Sequence, residues 1–160
     1  MLRIARTTAS RQIALLDGTI VPPGTPIAIL HFWNEHLPPF APDGPNLGWA
    51  RLFRERMLIS LQELSHYLQT TSEWDDVPAI HACVNSGSRR RYLQIQRAVS
   101  RFGFELLPGE VSCGLHERGE DMLIWAFARA FNPTALRRHG LWRDRTELWM
   151  SKASLINHYG

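Results

Sequence analysis

A chain of 160 residues, 44% hydrophobic and 21% charged, is long enough to bury one core and too apolar to be intrinsically disordered. Its net charge of +3 is weak support for nucleic-acid binding, which is therefore the least expected class of partner. The longest apolar run is far shorter than the roughly 20 residues that span a bilayer, and no apolar stretch follows the basic N-terminus as it would in a secretory signal. We therefore expect a cytoplasmic protein without a membrane span.

The first part of the chain, residues 11–33, has the pattern of β-strands. Asp17-Gly18 is a hairpin turn signal between two short apolar stretches. Residues 26–33 are apolar at nearly every position, which predicts an interior strand covered on both faces. Residues 34–46 contain four prolines and are predicted to be an irregular loop.

Apolar residues at steps of three and four predict a long helix from about Leu47 to Leu68. The remaining predicted elements are, in chain order, a strand over 79–84, a helix ending near 102, a strand over 104–107, a helix over 117–131, a strand over 146–150 and a terminal helix over 154–159. This order predicts a single α+β domain over residues 1–160, with a mixed sheet of about five strands and three main helices.

The turn after the strand at 79–84 is the first candidate site. Gly87 lies between Ser86 and Ser88 at the start of a helix, where free backbone N–H groups and the positive end of the helix dipole favour an anion. Arg89 and Arg91 are placed to close on a phosphate or carboxylate. The alternative is that a serine caps the helix and the arginines form its solvated face. The turn has neither the P-loop nor the dinucleotide-binding glycine pattern.

The end of the strand at 26–33 is the second candidate site. His31, Glu35 and His36 are candidate catalytic residues, because an imidazole near a carboxylate can transfer protons at neutral pH. Asn34 lies among them and is a candidate ligand-binding residue. The same residues are also compatible with a structural polar network, and they lack the helical spacing of a zinc protease. We assign no metal site and no cofactor.

The strand at 79–84 carries a further candidate, His81, on the same face as Cys83. If this strand and the one at 26–33 are neighbours, His81 approaches His31 and joins the ligand-binding residues; otherwise it is a core histidine. The two cysteines, Cys83 and Cys113, are too few for a disulfide framework, and we expect both to be buried thiols.

Three stretches of the chain together resemble the YkoP-like domain family. They are Asp17-Gly18-Thr19-Ile20 through Leu30-His31-Phe32-Trp33-Asn34, then Arg101-Phe102-Gly103-Phe104-Glu105, and finally Glu147-Leu148-Trp149-Met150-Ser151-Lys152 with Leu155 and Tyr159. The resemblance implies a family without an established activity. Its bacterial members often accompany polysaccharide deacetylases and glycosyltransferases. The resemblance implies a role in cell-envelope metabolism, and it carries over His31 and Asn34 without an assigned role.

We expect this domain to bind an anionic small molecule between the Ser86–Arg91 turn and the His31–His36 strand end, under the loop at 34–46. The sequence leaves open whether a reaction follows binding. The alternative is a non-catalytic accessory domain that docks a partner protein through exposed aromatic residues and an arginine-bearing helix face. A third reading is an acyltransferase-like enzyme, since Phe102-Gly103-Phe104-Glu105 resembles the last motif of acyl-CoA N-acetyltransferases; however, the glycine-rich pyrophosphate loop of those enzymes is missing.

Overall fold

The structure, a computed structural model, describes residues 2–32, 46–85, 96–107 and 145–160. The strands are β1 (Leu2–Thr8), β2 (Ile13–Ala14), β3 (Ile20–Val21), β4 (Pro26–Phe32), β5 (Ala79–Asn85), β6 (Glu105–Leu107) and β7 (Arg145–Ser151). The helices are α1 (Leu47–Thr70), α2 (the described residues 96–100) and α3 (Lys152–Tyr159), with a 3₁₀ turn at Ser72–Trp74. The fold is α+β with a five-stranded mixed sheet, as predicted.

The main sheet has the strand order β1-β4-β5-β7-β6. Among the described strands of this sheet, β4 and β5 are parallel and the other neighbouring pairs are antiparallel. β4 is hydrogen-bonded to β1 on one side and to β5 on the other, which confirms the interior strand predicted from its apolar sequence. β1 was not predicted, because only Leu2 and Ile4 of its seven residues are partly buried and the others are exposed.

One face of the sheet is covered by α1. Asn46 caps the start of this helix: its side-chain oxygen accepts a hydrogen bond from the backbone N–H of Trp49 at 2.9 Å. Its buried side chains recur at helical spacing and confirm the predicted stripe: Met57, Leu61, Leu64 and Leu68. They pack against the even-numbered residues of the central strands, Leu30, Ile80 and Ala82 among them. This layer is the main hydrophobic core.

Among the described residues, the β2–β3 hairpin covers part of the opposite face of the sheet. Ile13, Leu15 and Val21 of the hairpin pack against Ile27 and Trp149. The turn is the predicted one: Gly18 has φ +87°, a left-handed conformation that glycine adopts without strain. Because the hairpin packs on the first residues of β4 and β5, the later residues of this face extend beyond it.

The C-terminal helix is anchored from several directions. Ser151, at the end of β7, accepts a hydrogen bond from the backbone N–H of Ser154 at 2.8 Å and so caps α3. The same hydroxyl donates to the carboxylate of Asp17 in the hairpin turn. The hydroxyl of Tyr159 donates to the carbonyl of Phe102 at 3.2 Å. α3 therefore ties the sheet, the hairpin and the end of α2 together.

The end of α2 follows the predicted pattern. Gly103, three residues after the end of α2, has φ +79°, and the backbone N–H of Phe104 donates to the carbonyl of Val99 at 3.2 Å. The predicted helix at 117–131 and the proline-rich loop, except its last residue Asn46, lie outside the described residues. Within the described part of the chain, no helix combines the length and apolarity that crossing a membrane requires.

Candidate functional site

The candidate site lies at the edge of the sheet where β4 and β5 end. Since the two strands are parallel, with Ile29 beside His81, their carboxyl ends meet at the same edge. β1 and β7 run the other way and begin there, with Leu2 opposite Phe32 and Arg145 opposite Asn85. Ligands of sheets with parallel strands commonly bind outside the carboxyl ends of those strands.

Two of the predicted site residues are within the described part of the chain. His31 is the penultimate residue of β4 and is exposed, whereas His81 lies in β5 and is partly buried. Because side chains alternate along a strand, the His31 and His81 side chains both project from the face of the sheet opposite α1. His31 is close enough to lower the pKa of His81 electrostatically. The other predicted site residues lie outside the described residues: Asn34, Glu35, His36, Ser86, Gly87, Ser88, Arg89 and Arg91.

The imidazole of His81 is held between an aromatic ring and a thiol. It lies against the indole of Trp149, with ring centroids 4.5 Å apart, and its Nε2 is 3.9 Å from Sγ of Cys83. Burial is the main cause that lowers the pKa of His81; Arg11 and His31 lower it further, and Glu147 opposes them. His81 is therefore neutral at pH 7 and has a ring nitrogen that can accept a hydrogen bond.

Glu147 of β7 is the carboxylate of this cluster. Its Oε2 accepts hydrogen bonds from Nη2 of Arg11 at 2.9 Å and from Nε1 of Trp149 at 3.1 Å. The Glu147 side chain is only 16% exposed, so these two donors offset much of its desolvation. The arrangement fixes the indole against which His81 packs.

A cavity of about 180 Å³ adjoins this cluster. Its polar lining comes from Thr7, Thr8, Ser10, Arg11, His81 and Glu147, and its apolar lining from Ala9, Ile13, Ile27, Ile29 and Trp149. Hydroxyl and guanidinium groups are hydrogen-bond donors that suit an oxygen-rich ligand.

Arg3 brings a positively charged side chain to the sheet close to the shared edge. It lies directly opposite His31 in the register of β1 and β4. The carboxylate of Glu147 is paired with Arg11.

The YkoP domain family model matches residues 3–159, from the second residue of β1 to the last residue of α3. This chain belongs to the YkoP domain family. The predicted resemblance is thereby confirmed over nearly the whole chain. No curated protein and no solved structure matches it.

In this YkoP domain, the sequence did not identify Arg11 or Glu147 as site residues. Glu147 is one residue of an alternating strand, and its partner Arg11 is 136 positions away, so only the pairing of β5 with β7 brings them to His81. The available signal is a carboxylate directly before three consecutive apolar residues, Leu148–Met150. Trp149, which anchors this cluster, is buried.

The Cys83 thiol lies on the surface near the end of β5. Cys83 is exposed, so the prediction that it is a buried thiol is wrong; the position near the end of β5, beyond the hairpin, explains the difference. Cys113 lies outside the described residues. Across the described ranges, no three His, Cys, Asp or Glu residues are grouped so as to hold a metal ion.

Proposed function

We propose that this domain binds a small anionic molecule, phosphorylated or carboxylated, at the edge where β4 and β5 end. The observation that carries the proposal is the parallel pairing of these strands. Because of it, the end of β4 beyond His31 and the end of β5 at Asn85 lie at the same edge of the sheet. Two segments predicted separately from the sequence thus begin at one place.

The charges at this edge support an anion. Arg3 lies opposite His31, and the sequence assigns Arg89 and Arg91 to the turn after β5. A hydrogen bond to a charged group contributes about 1.5–3 kcal/mol. Two or three of them are sufficient for a micromolar site after the cost of ordering the ligand. His81 contributes a neutral ring to the wall of the site.

The proposed class of anion rests on the family resemblance. That resemblance implies an association with enzymes of polysaccharide metabolism, so sugar phosphates and uronic acids are the ligands we propose first. Both classes have a group that a guanidinium binds in bidentate fashion.

A thermal-shift and calorimetric series tests this function. The ligands are inorganic phosphate, sulfate, glucose 1-phosphate and glucuronate at constant ionic strength. We expect ligand to stabilise the native state by mass action, about 2.7 kcal/mol at a concentration of 100 Kd. Arg3→Gln, Arg89→Ala and Arg91→Ala should weaken binding at least about tenfold, equivalent to about 1.4 kcal/mol.

The matched control is Arg97→Ala, because Arg97 is an exposed arginine of α2. This variant should respond like the wild type. If no ligand binds the wild type, or if Arg97→Ala loses as much affinity as the other variants, the proposed function is wrong. In that case the capped-helix interpretation of the turn remains.

A further inference from the structure

The cavity of about 180 Å³ beside Arg11, His81 and Glu147, here called the polar cavity, lies on one face of the sheet. Its residues from the central strands occupy alternate positions, so their side chains all project from the face opposite α1: Ile27, Ile29, His81, Glu147 and Trp149. The end of β1 and the segment between β1 and β2 supply the rest of the lining. A molecule in the polar cavity therefore contacts a single face of the sheet.

Burial divides the lining of the polar cavity into an apolar and a polar part. Most of its apolar residues are buried: Ala9, Ile13, Ile27 and Trp149. Its hydroxyl residues are exposed: Thr7, Thr8 and Ser10. The side chains of Arg11, His81 and Glu147 are partly buried between these two sets. This lining suits a ligand that has both an apolar surface and several polar groups.

The charges of the polar cavity cancel. Its charged residues, Arg11 and Glu147, form an ion pair with each other, and His81 is neutral at pH 7. A charged ligand would compete with this pair. Separating the pair would leave the Glu147 carboxylate, whose side chain is only 16% exposed, without its cationic partner. Because a neutral ligand leaves the pair intact, the polar cavity favours an uncharged molecule.

The hydrogen-bonding groups of the polar cavity suit hydroxyl groups. Oε2 of Glu147 accepts from Arg11 and Trp149, whereas no described residue donates to Oε1. A guanidinium has five N–H donors, and Arg11 uses one of them, on Nη2, for Glu147. Since a hydroxyl both donates and accepts, neighbouring hydroxyls of one ligand can donate to Oε1 of Glu147 and accept from Arg11.

We propose that the polar cavity binds a neutral polyhydroxylated ring, a cyclic polyol or a monosaccharide, with its hydroxyls on Glu147 and Arg11 and its C–H face on Ile27 and Ile29. A cavity of about 150 Å³ holds benzene, so the polar cavity accommodates one six-membered ring and not two. This inference does not rest on the proposed function, because the anion proposed there is charged and binds at the edge where β4 and β5 end.

The test compares two neutral rings that differ in their hydroxyl groups, myo-inositol and cyclohexanol. Titration calorimetry measures the affinities, and nuclear magnetic resonance follows the indole N–H of Trp149. We expect myo-inositol to bind at least about tenfold more tightly than cyclohexanol, because it offers hydroxyls to Glu147 and Arg11 together. It should also bind in saturating inorganic phosphate, because the phosphate is expected at the β4–β5 edge.

Three variants locate the bound ring. Glu147→Gln should weaken the binding of myo-inositol at least about tenfold, because a neutral amide replaces the charged acceptor. Ser10→Phe places a large side chain at an exposed position of the lining and should weaken binding as much. The matched control is Ser72→Phe, the same change at an exposed serine outside the lining, which should keep the wild-type affinity.

This inference and the proposed function fail separately. If myo-inositol does not bind the wild type, or binds no more tightly than cyclohexanol, the inference is overturned while the proposed function stands. It is also overturned if Glu147→Gln binds like the wild type, if Ser10→Phe and Ser72→Phe lose equal affinity, or if saturating phosphate displaces myo-inositol. If myo-inositol binds as expected and no anion binds, the proposed function alone is wrong.

Discussion

His81 and Trp149 face each other across the β5–β7 pair, with ring centroids 4.5 Å apart and ring planes inclined by 31°. The indole is fixed in turn by its hydrogen bond to Glu147. This stack buries the imidazole, and burial is the main reason that the pKa of His81 lies below its ordinary value. The pH dependence of stability follows directly.

We expect the free energy of unfolding to fall as the pH is lowered through about 6.5, the pKa of histidine in the unfolded chain. Below that pH the unfolded chain binds a proton that folded His81 resists, until the pH also passes the lower folded-state pKa. Above pH 6.5, His81 does not contribute to the dependence of the free energy of unfolding on pH. Urea denaturation between about pH 7.5 and 5.5 measures the effect.

The free energy of unfolding of the His81→Gln variant should depend less on pH in this range, because the variant lacks the titrating imidazole. His66→Gln, on the exposed surface of α1, is the control for the substitution itself. A slope that is unchanged in His81→Gln would show that other groups cause the pH dependence.

The carboxylate of Glu147 accepts hydrogen bonds from buried Trp149 and from half-exposed Arg11. Two substitutions distinguish the contributions of these two bonds to stability. Glu147→Ala should lower the free energy of unfolding by about 1–3 kcal/mol, because the N–H of buried Trp149 loses its acceptor. Glu147→Gln keeps an acceptor and weakens only the pair with half-exposed Arg11, which should cost less than about 1 kcal/mol. Chemical denaturation of both variants measures the difference. Equal losses would contradict the assigned hydrogen bond.

Ser151 links the hairpin turn to α3, so its hydroxyl should matter more than its small size suggests. Ser151→Ala should cost about 2 kcal/mol, because it removes the helix cap and a hydrogen bond to the Asp17 carboxylate. Ser154→Ala, in the same helix, is the matched control and should be nearly neutral. Denaturant melts of the two variants check this; similar losses would show that the Ser151 cap is not decisive.

The bond from Ser151 is also the largest cause that lowers the pKa of Asp17. The contribution of this hydrogen bond to stability is therefore present above about pH 3.9, the pKa of aspartate in the unfolded chain. It is lost as the pH falls through the lower pKa that Asp17 has in the folded protein. The difference in stability between the wild type and Ser151→Ala should accordingly shrink in strong acid.

The long periodic elements of this fold could be predicted from sequence, whereas the polar cluster could not. α1 and β4 each have a pattern that one packing environment explains, and both occur where predicted. β1 has only two partly buried residues, so its sequence is too weakly amphipathic to reveal an edge strand. Arg11 and Glu147 meet His81 only through strand pairing, and no local pattern contains that information.

The exposed thiol of Cys83 reports on the same edge of the sheet. In a Cys113→Ser background, native protein should react with a thiol reagent such as dithiobis(nitrobenzoate), because Cys83 is exposed. Inorganic phosphate should slow the reaction, since Cys83 lies near the end of β5, where we propose that the anion binds. The Cys83→Ser variant should show no reaction. A rate that saturating phosphate leaves unchanged would place the anion elsewhere.

The most direct test of anion binding at the β4–β5 edge is the response of the histidine side chains to inorganic phosphate. Nuclear magnetic resonance at constant pH and ionic strength follows the imidazole signals of His31, His81, His66 and His158. If phosphate binds at the β4–β5 edge, the imidazole signals of His31 and His81 should shift along one saturable curve. The signals of His66 on α1 and His158 on α3 should not move. Equal, unsaturated shifts of all four, or no shift at His31 and His81, would contradict it.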